Sequence, residues 1–272
     1  LKTIQRKILR GILDHVPPHE CAHGFVLGRS CATAASEHAG EHVVITVDLK
    51  DFFPATRLSR VHRTFRSLGY PSQVARALTA LCSTITPASV FTRRQVDCEH
   101  HWKTRKMFAA PHLPQGAPTS PALANLAAWQ LDNRLCGLAR SFGVTHTRYA
   151  DDLAFSGDAD LARRGRKFLS LLEKIAGDEG YQLNHRKTRI MRRSSCQRVT
   201  GLVVNDHINV SRTAYDELKA ILHNCTQTGP AVQNRAGHPD FRAHLDGRIT
   251  WVESVNRVRG EKLRRKFEQI RW

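Results

Sequence analysis

The sequence predicts an α+β fold, and three observations carry that expectation. Val43-Val44-Ile45-Thr46-Val47 is a continuous, mostly β-branched run, the pattern of a central strand buried on both faces. Val144 to Tyr149 and Leu153 to Phe155 are short apolar runs on either side of Asp151-Asp152, which reads as a β-hairpin with the acidic pair at its tip. Between and after these runs lie long segments whose apolar residues recur at helical spacing.

Bulk properties narrow the function. The 272 residues suffice for one large domain or two ordinary ones, and a hydrophobic fraction of 41% supports a core. A formal charge of +18 points to a polyanionic partner, nucleic acid before membrane surface. No apolar run approaches the length of a bilayer span, and no signal peptide is visible, so the expected setting is the cytoplasm without a membrane partner. Seven cysteines, an odd number with no CxxC pair, fit free thiols in a reducing cytosol. The chain opens at Leu1 rather than Met, which suggests that upstream residues are missing.

Taken in order, residues 1–15 predict an amphipathic basic helix ended by Pro17-Pro18. His19-Glu20-Cys21-Ala22-His23 offers three potential zinc ligands, but no second ligand cluster stands at finger-like spacing, and ordinary loop histidines are the expected reading. The same holds for His100-His101 near Cys98. Gly24 to Ser30 is a glycine-punctuated basic turn in which Arg29 could clamp a phosphate, or simply a surface turn. The strand at 43–47 delivers Asp48, and Asp51 is a candidate N-cap for the next element. Helices are expected at 57–69 and 72–84, then an irregular basic insertion with short strands at 87–112.

Leu113 to Pro121 is a Pro- and Gly-rich loop, followed by one helix with Leu123, Leu126, Leu131, Leu135 and Leu138 on a face. Ser120 is the expected N-cap, with Pro121 at the first helical position. Beyond the acidic hairpin come a helix at 159–179, the polar turn Asn184 to Thr188 and a short strand at 189–191. Val199 to Val204 and Ile208 to Val210 read as a second hairpin around Asn205-Asp206. Helices at 212–225, 240–255 and 258–270 complete the chain, with a linker at 226–238.

An Asp-Asp turn alone is more readily a solvated loop than a site. Asp48 changes that balance, since it too is placed at the tip of a β element. Three carboxylates meeting at one place can hold two divalent cations about 4 Å apart, the arrangement used for in-line phosphoryl transfer.

The ordered set Val47-Asp48-Leu49-Lys50-Asp51-Phe52-Phe53, Leu113 to Pro121 and Arg148-Tyr149-Ala150-Asp151-Asp152 resembles three successive palm motifs of reverse transcriptases. Gly24 to Ser30 resembles a fingers motif of the bacterial enzymes, and Asn184 to Thr188 resembles the lysine-bearing motif. Val199-Thr200-Gly201-Leu202 and the tail from Gly247 resemble the primer grip and thumb of the retron type.

This resemblance implies a right-hand polymerase fold: partial fingers at 1–42, a palm at 43–205 with a fingers insertion around 57–112, and a helical thumb with the end of the primer-grip hairpin at 206–272. It implies RNA-directed DNA synthesis with two Mg²⁺ ions, or Mn²⁺ in their place. Asp48, Asp151, Asp152 and the Leu49 carbonyl would be metal ligands, and Lys187 a general acid for the leaving pyrophosphate. Arg29, Phe53, Gln115 and Gly116 would bind the dNTP, with Phe53 as the gate against a ribose 2′-OH. Tyr149 and Val199, Thr200, Gly201 and Leu202 would hold primer and template. Implied partners are an RNA template, a DNA or RNA primer, a structured non-coding RNA and an effector protein. The alternatives are a defence-system relative with untemplated synthesis or a scaffold role, and a non-catalytic RNA-binding module.

Overall fold

The computed structural model describes residues 1–91 and 98–272, without the side chains of 98–101 and 103. The first half runs α1 (Lys2–Gly11), α2 (Cys31–Ser36), β1 (Val43–Asp48), the single turn α3 (Phe52–Ala55), α4 (Leu58–Ser67), α5 (Ser72–Leu81), α6 (Cys98–Ala109), α7 (Ser120–Ala127) and α8 (Trp129–Phe142). Next come β2 (Thr145–Tyr149), β3 (Asp152–Gly157), α9 (Ala159–Asp178), β4 (Arg189–Arg192), β5 (Arg198–Val199) and β6 (Leu202–Val203). The chain ends in α10 (Arg212–Thr228), α11 (Pro230–Gln233), α12 (Phe241–Val255) and α13 (Arg257–Glu268). No helix among the described residues is long and apolar enough to cross a membrane.

Four strands form an antiparallel sheet in the order β2-β3-β1-β4. Both faces of β1 are covered, which is why its sequence is apolar throughout rather than alternating. Ile45 and Val47 join a core with Leu131, Leu135, Phe155, Phe168 and Leu172 from α8, β3 and α9. Val44 joins a second core with Val199, Leu222, Ile249 and Phe267, so the C-terminal helices are tied to the opposite face of the sheet.

Several local expectations change. The helix after the Pro-rich loop is two helices, broken at Ala128. Thr119 holds the N-cap position of α7, one residue before Ser120, whose hydroxyl instead donates to the Pro114 carbonyl at 2.7 Å and closes the loop. The insertion at 87–112 contains a twelve-residue helix, α6, rather than short strands alone. Its apolar residues follow no helical stripe, and Phe108 reaches Phe91 and His112 instead. Thr92-Arg93-Arg94 and the side chains of Cys98, His100 and His101 lie outside the described residues.

Val203 and Asn209 pair in an antiparallel bridge across Asn205-Asp206, as expected, and the chain adds a two-residue turn at Thr200-Gly201 between β5 and β6. Both turn residues have positive φ, +49° and +86°, the left-handed pair that matches strand twist in a two-residue hairpin. Asn205 closes its own bend by donating to the carbonyls of Arg193 and Ser195. The expected linker contains the single turn α11.

At the start of α13, a Cβ on Gly260 would stand 2.5 Å from the Glu253 Cα, so α12 and α13 meet with no room for a side chain. Gly260→Ala is therefore expected to destabilise the C-terminal helices by about 1–3 kcal/mol. A shift of the urea midpoint followed by far-UV circular dichroism measures it; an unchanged midpoint would show that the helices separate freely.

Candidate active site

Asp48 is the last residue of β1 and stands opposite Asp152, the first residue of β3. Asp151 lies in the two-residue turn between β2 and β3, and its carbonyl accepts from the Leu49 N–H at 2.9 Å. The Asp48 carbonyl accepts from the Asn184 N–H at 2.8 Å, which brings the 184–188 turn alongside. Backbone pairing thus places three acids and one basic turn at the same end of the sheet.

A cavity of about 810 Å³ opens there, lined by Asp48, Leu49, Phe53, Gln115, Asp151 and Lys187 among others. Asp152 opens onto an adjoining cavity of about 300 Å³, together with Tyr149, Val199, Thr200 and Gly201. Phe53 is half-buried, its ring tilted against Phe52 at 5.7 Å and Phe25 at 6.0 Å. Asp51, at the N-cap position of α3, is left-handed (φ +50°), and its side chain makes no cap bond. That conformation turns the chain sharply between Asp48 and Phe53.

The electrostatics are those of crowded anions. Asp152 is pushed up to about 6, first by desolvation and then by the charges of Asp151 and Asp48. Asp151 is also raised, by desolvation first and then by the charge of Asp48. Lys187 Nζ donates to Asp48 Oδ2 at 2.8 Å, and this hydrogen bond raises the lysine. Hard oxygen ligands in a field that resists further negative charge fit Mg²⁺ or Mn²⁺. The side chains of the three acids do not all come within 4.8 Å of one another.

Three residues named from the sequence are not brought to these cavities as lining. Arg29 donates to the carbonyls of Glu20 and Ala22, the latter at 2.7 Å, and so braces its own loop. Leu202 is buried in the second core. Gly116, at φ +81°, follows Gln115 but lines neither cavity.

The bracing of the acidic turn was not read from the sequence, although Arg148 and Gly24 stand within its motifs. Arg148 is fully buried and grips Asp132 of α8 through two hydrogen bonds, both 2.7 Å. Its third nitrogen donates to Asn125 Oδ1 of α7 at 2.9 Å and to the Ala150 carbonyl of the turn at 3.1 Å. Gly24 presses against that turn so closely that a Cβ would stand 2.4 Å from the Ala150 nitrogen, and Asn125 donates to the Gly24 carbonyl at 2.9 Å. His38, buried, bridges Thr147 of β2 and Ser156 of β3, each at 2.7 Å. The available signal was Asn125 and Asp132 among the leucines of the buried face of α7 and α8, where an unpaired polar group is costly. Asp132→Ala leaves the Arg148 charge buried without its partner and is expected to cost about 3–5 kcal/mol, read from chemical denaturation. A loss below about 1 kcal/mol would remove the pair from its bracing role.

Comparison with known proteins identifies the family. Residues 1–210 match the family described as "Reverse transcriptase (RNA-dependent DNA polymerase)". The chain is 40% identical over 270 residues to the retron Mx65 reverse transcriptase of Myxococcus xanthus, covering 98% of this chain and 58% of that protein. It is 38% identical over 239 residues to the retron Mx162 enzyme of the same organism, covering 82% of this chain and 48% of that protein. The retron Ec86 reverse transcriptase of Escherichia coli is 35% identical over 269 residues, with 96% of this chain and 75% of that protein covered. The chain thus spans about half the length of the two Myxococcus relatives. A family match over most of the chain, with retron enzymes 35–40% identical along it, shows that this protein belongs to the reverse transcriptases, on their retron branch.

Proposed function

We propose that the chain extends a primer 3′ end with dNTPs on an RNA template, using Asp48, Asp151 and Asp152 to hold two divalent cations. The observation that carries this reading is the single cavity lined by Asp48, Asp151, Phe53, Gln115 and Lys187, in a chain of +18 formal charge. Bound there, the cations would supply charge stabilisation to the attacking and leaving oxygens of the phosphoryl transfer.

The residues divide the remaining work. Phe53, braced by Phe25 and Phe52, is the steric gate: its ring would clash with a ribose 2′-OH and so select dNTPs. Gln115 lines the nucleotide side of the same cavity. Gly116 lets the chain turn just behind it, through its left-handed φ. Lys187, largely exposed beyond its Asp48 contact, is free to swing and serve as general acid toward pyrophosphate. Arg29 reaches the triphosphate only by giving up loop carbonyls. Tyr149, Val199, Thr200 and Gly201 line the adjoining cavity, which takes the primer end. Leu202 supports them from the core.

In this reading residues 1–42 are partial fingers, 43–205 the palm with its insertion at 57–112, and 206–272 the thumb. The basic surface binds template and primer mainly through phosphates, with affinity falling steeply as salt rises. A structured non-coding RNA is the expected template, an effector protein a further partner, and the bacterial cytoplasm the setting.

Asp151→Asn combined with Asp152→Asn is expected to abolish Mg²⁺-dependent dNTP incorporation while leaving RNA binding within about twofold, since the phosphate contacts remain. Full incorporation by the double variant, in a primer-extension assay, would sink the assignment. Phe53→Ala is expected to raise ribonucleotide incorporation roughly tenfold or more, the scale of one lost steric contact. Unchanged dNTP/rNTP discrimination would remove Phe53 from the gate role.

A further inference from the structure

The loop His19-Glu20-Cys21-Ala22-His23 gains partners in the fold that its sequence neighbourhood lacks. Cys21 is buried against α8, where Cys136 faces it, and against β2, which supplies His146. Ligating atoms of His19, Cys21 and Cys136 all lie within 4.8 Å of one another, and so do those of Cys21, Asp132 and His146. Among the described residues these are the two groups of such closeness, and Cys21 belongs to both. Asp132 is already committed through both oxygens to Arg148.

His146 supplies the observation that points to a ligand. Its Nδ1 pairs with the Ala154 carbonyl at 3.2 Å, which makes that nitrogen the N–H donor. Nε2 then carries a lone pair, is sealed from solvent, and has no hydrogen-bond partner. A buried acceptor without a donor is costly. An imidazole whose other N–H is held by a backbone carbonyl is the usual state of a metal-ligating histidine. The ring is fixed by stacking on Phe155, 4.3 Å away and inclined by only 8°.

We propose that His19, Cys21, Cys136 and His146 form a structural zinc site between the 19–23 loop, α8 and β2. Two thiolates neutralise the ion, so a Cys₂His₂ site places no net charge beside the neutral Arg148–Asp132 pair. Binding releases the two thiol protons to solvent. Ligand atoms of a tetrahedral site stand about 3.5 Å apart, so the His19–Cys21–Cys136 group and His146, joined through Cys21, draw together onto one ion. His19 exchanges a 3.2 Å contact, either from the Cys21 N–H or with Asn133, for the metal. Cys136 is only half-buried and leaves an entry path. The site would fasten the loop whose next residue, Gly24, presses on the acidic turn.

The test uses the full chain, stripped of metal and kept in a non-thiol reductant, titrated with Co²⁺ in excess Mg²⁺. The expected result is one equivalent of Co²⁺ with near-UV thiolate-to-cobalt absorption and visible bands of a tetrahedral ion, both displaced by Zn²⁺. Zn²⁺ should also raise the thermal midpoint. Cys136→Ser and His146→Gln should each weaken Co²⁺ binding roughly tenfold or more. A reduced wild-type chain that shows no thiolate–cobalt absorption overturns the proposal. Unchanged Co²⁺ affinity in folded Cys136→Ser overturns it as well. None of these readouts uses dNTP incorporation, so their failure leaves the polymerase reading standing.

Discussion

The structure depends on one buried ion pair. Arg148 and Asp132 are both sealed from solvent, and each would be strongly unfavourable there alone. Their two parallel hydrogen bonds offset that cost, and the remaining guanidinium nitrogen is used on Asn125 and the Ala150 carbonyl. The face of the guanidinium lies 5.5 Å from the Phe52 ring centre. One side chain therefore links α7, α8, the β2–β3 turn and the residue before Phe53. A lysine could not replace it, because an ammonium has no planar fork to satisfy a carboxylate bidentately and an amide and a carbonyl at once.

This bracing explains how the acidic turn keeps a strained backbone. Ala150 has φ +56°, a conformation that costs a non-glycine residue about 1 kcal/mol or more. It persists because its surroundings over-determine it: Arg148 holds its carbonyl, Gly24 its nitrogen side, and the Asp151 carbonyl accepts from Leu49. Arg148 also exchanges backbone hydrogen bonds with Cys21 and His23, both 2.7 Å, so the 19–24 loop acts as an extra edge to β2. The placement of two carboxylates is a property of the backbone, not of flexible side chains.

The strands and most helices were legible because their burial is one-sided or complete, and periodicity reports burial. β1 read as a buried strand since both faces meet a core, and α9 showed its stripe of Phe168 and Leu172 against exposed arginines. The break at Ala128 was not legible, because both halves keep apolar residues on the same side. The added turn at Thr200-Gly201 was not legible, because Thr200 adopts the left-handed region, a conformation its residue type does not advertise. At the site, motif order placed Asp48, Phe53, Gln115, Asp151 and Lys187 around one space, yet the bond partners of Arg29 and the paired roles of Asp132 and Arg148 depend on contacts between distant segments. No spacing rule within one element encodes those.

Rigid and movable parts of the cavity divide accordingly. Asp151 is fixed through its backbone, whereas the Asp48 carboxylate is held by Lys187, a long side chain that is 64% exposed. A charge contact at that exposure is weak enough to exchange. In the proposed reaction the same exchange would serve two ends: it would free the Asp48 oxygen that Lys187 now holds for a cation shared with the other acids, and it would release Lys187 toward the departing pyrophosphate. The two would be linked by charge, since a cation held by Asp48 would repel the ammonium beside it. Assembly of the acidic site and arming of the proton donor would then arise from one interaction.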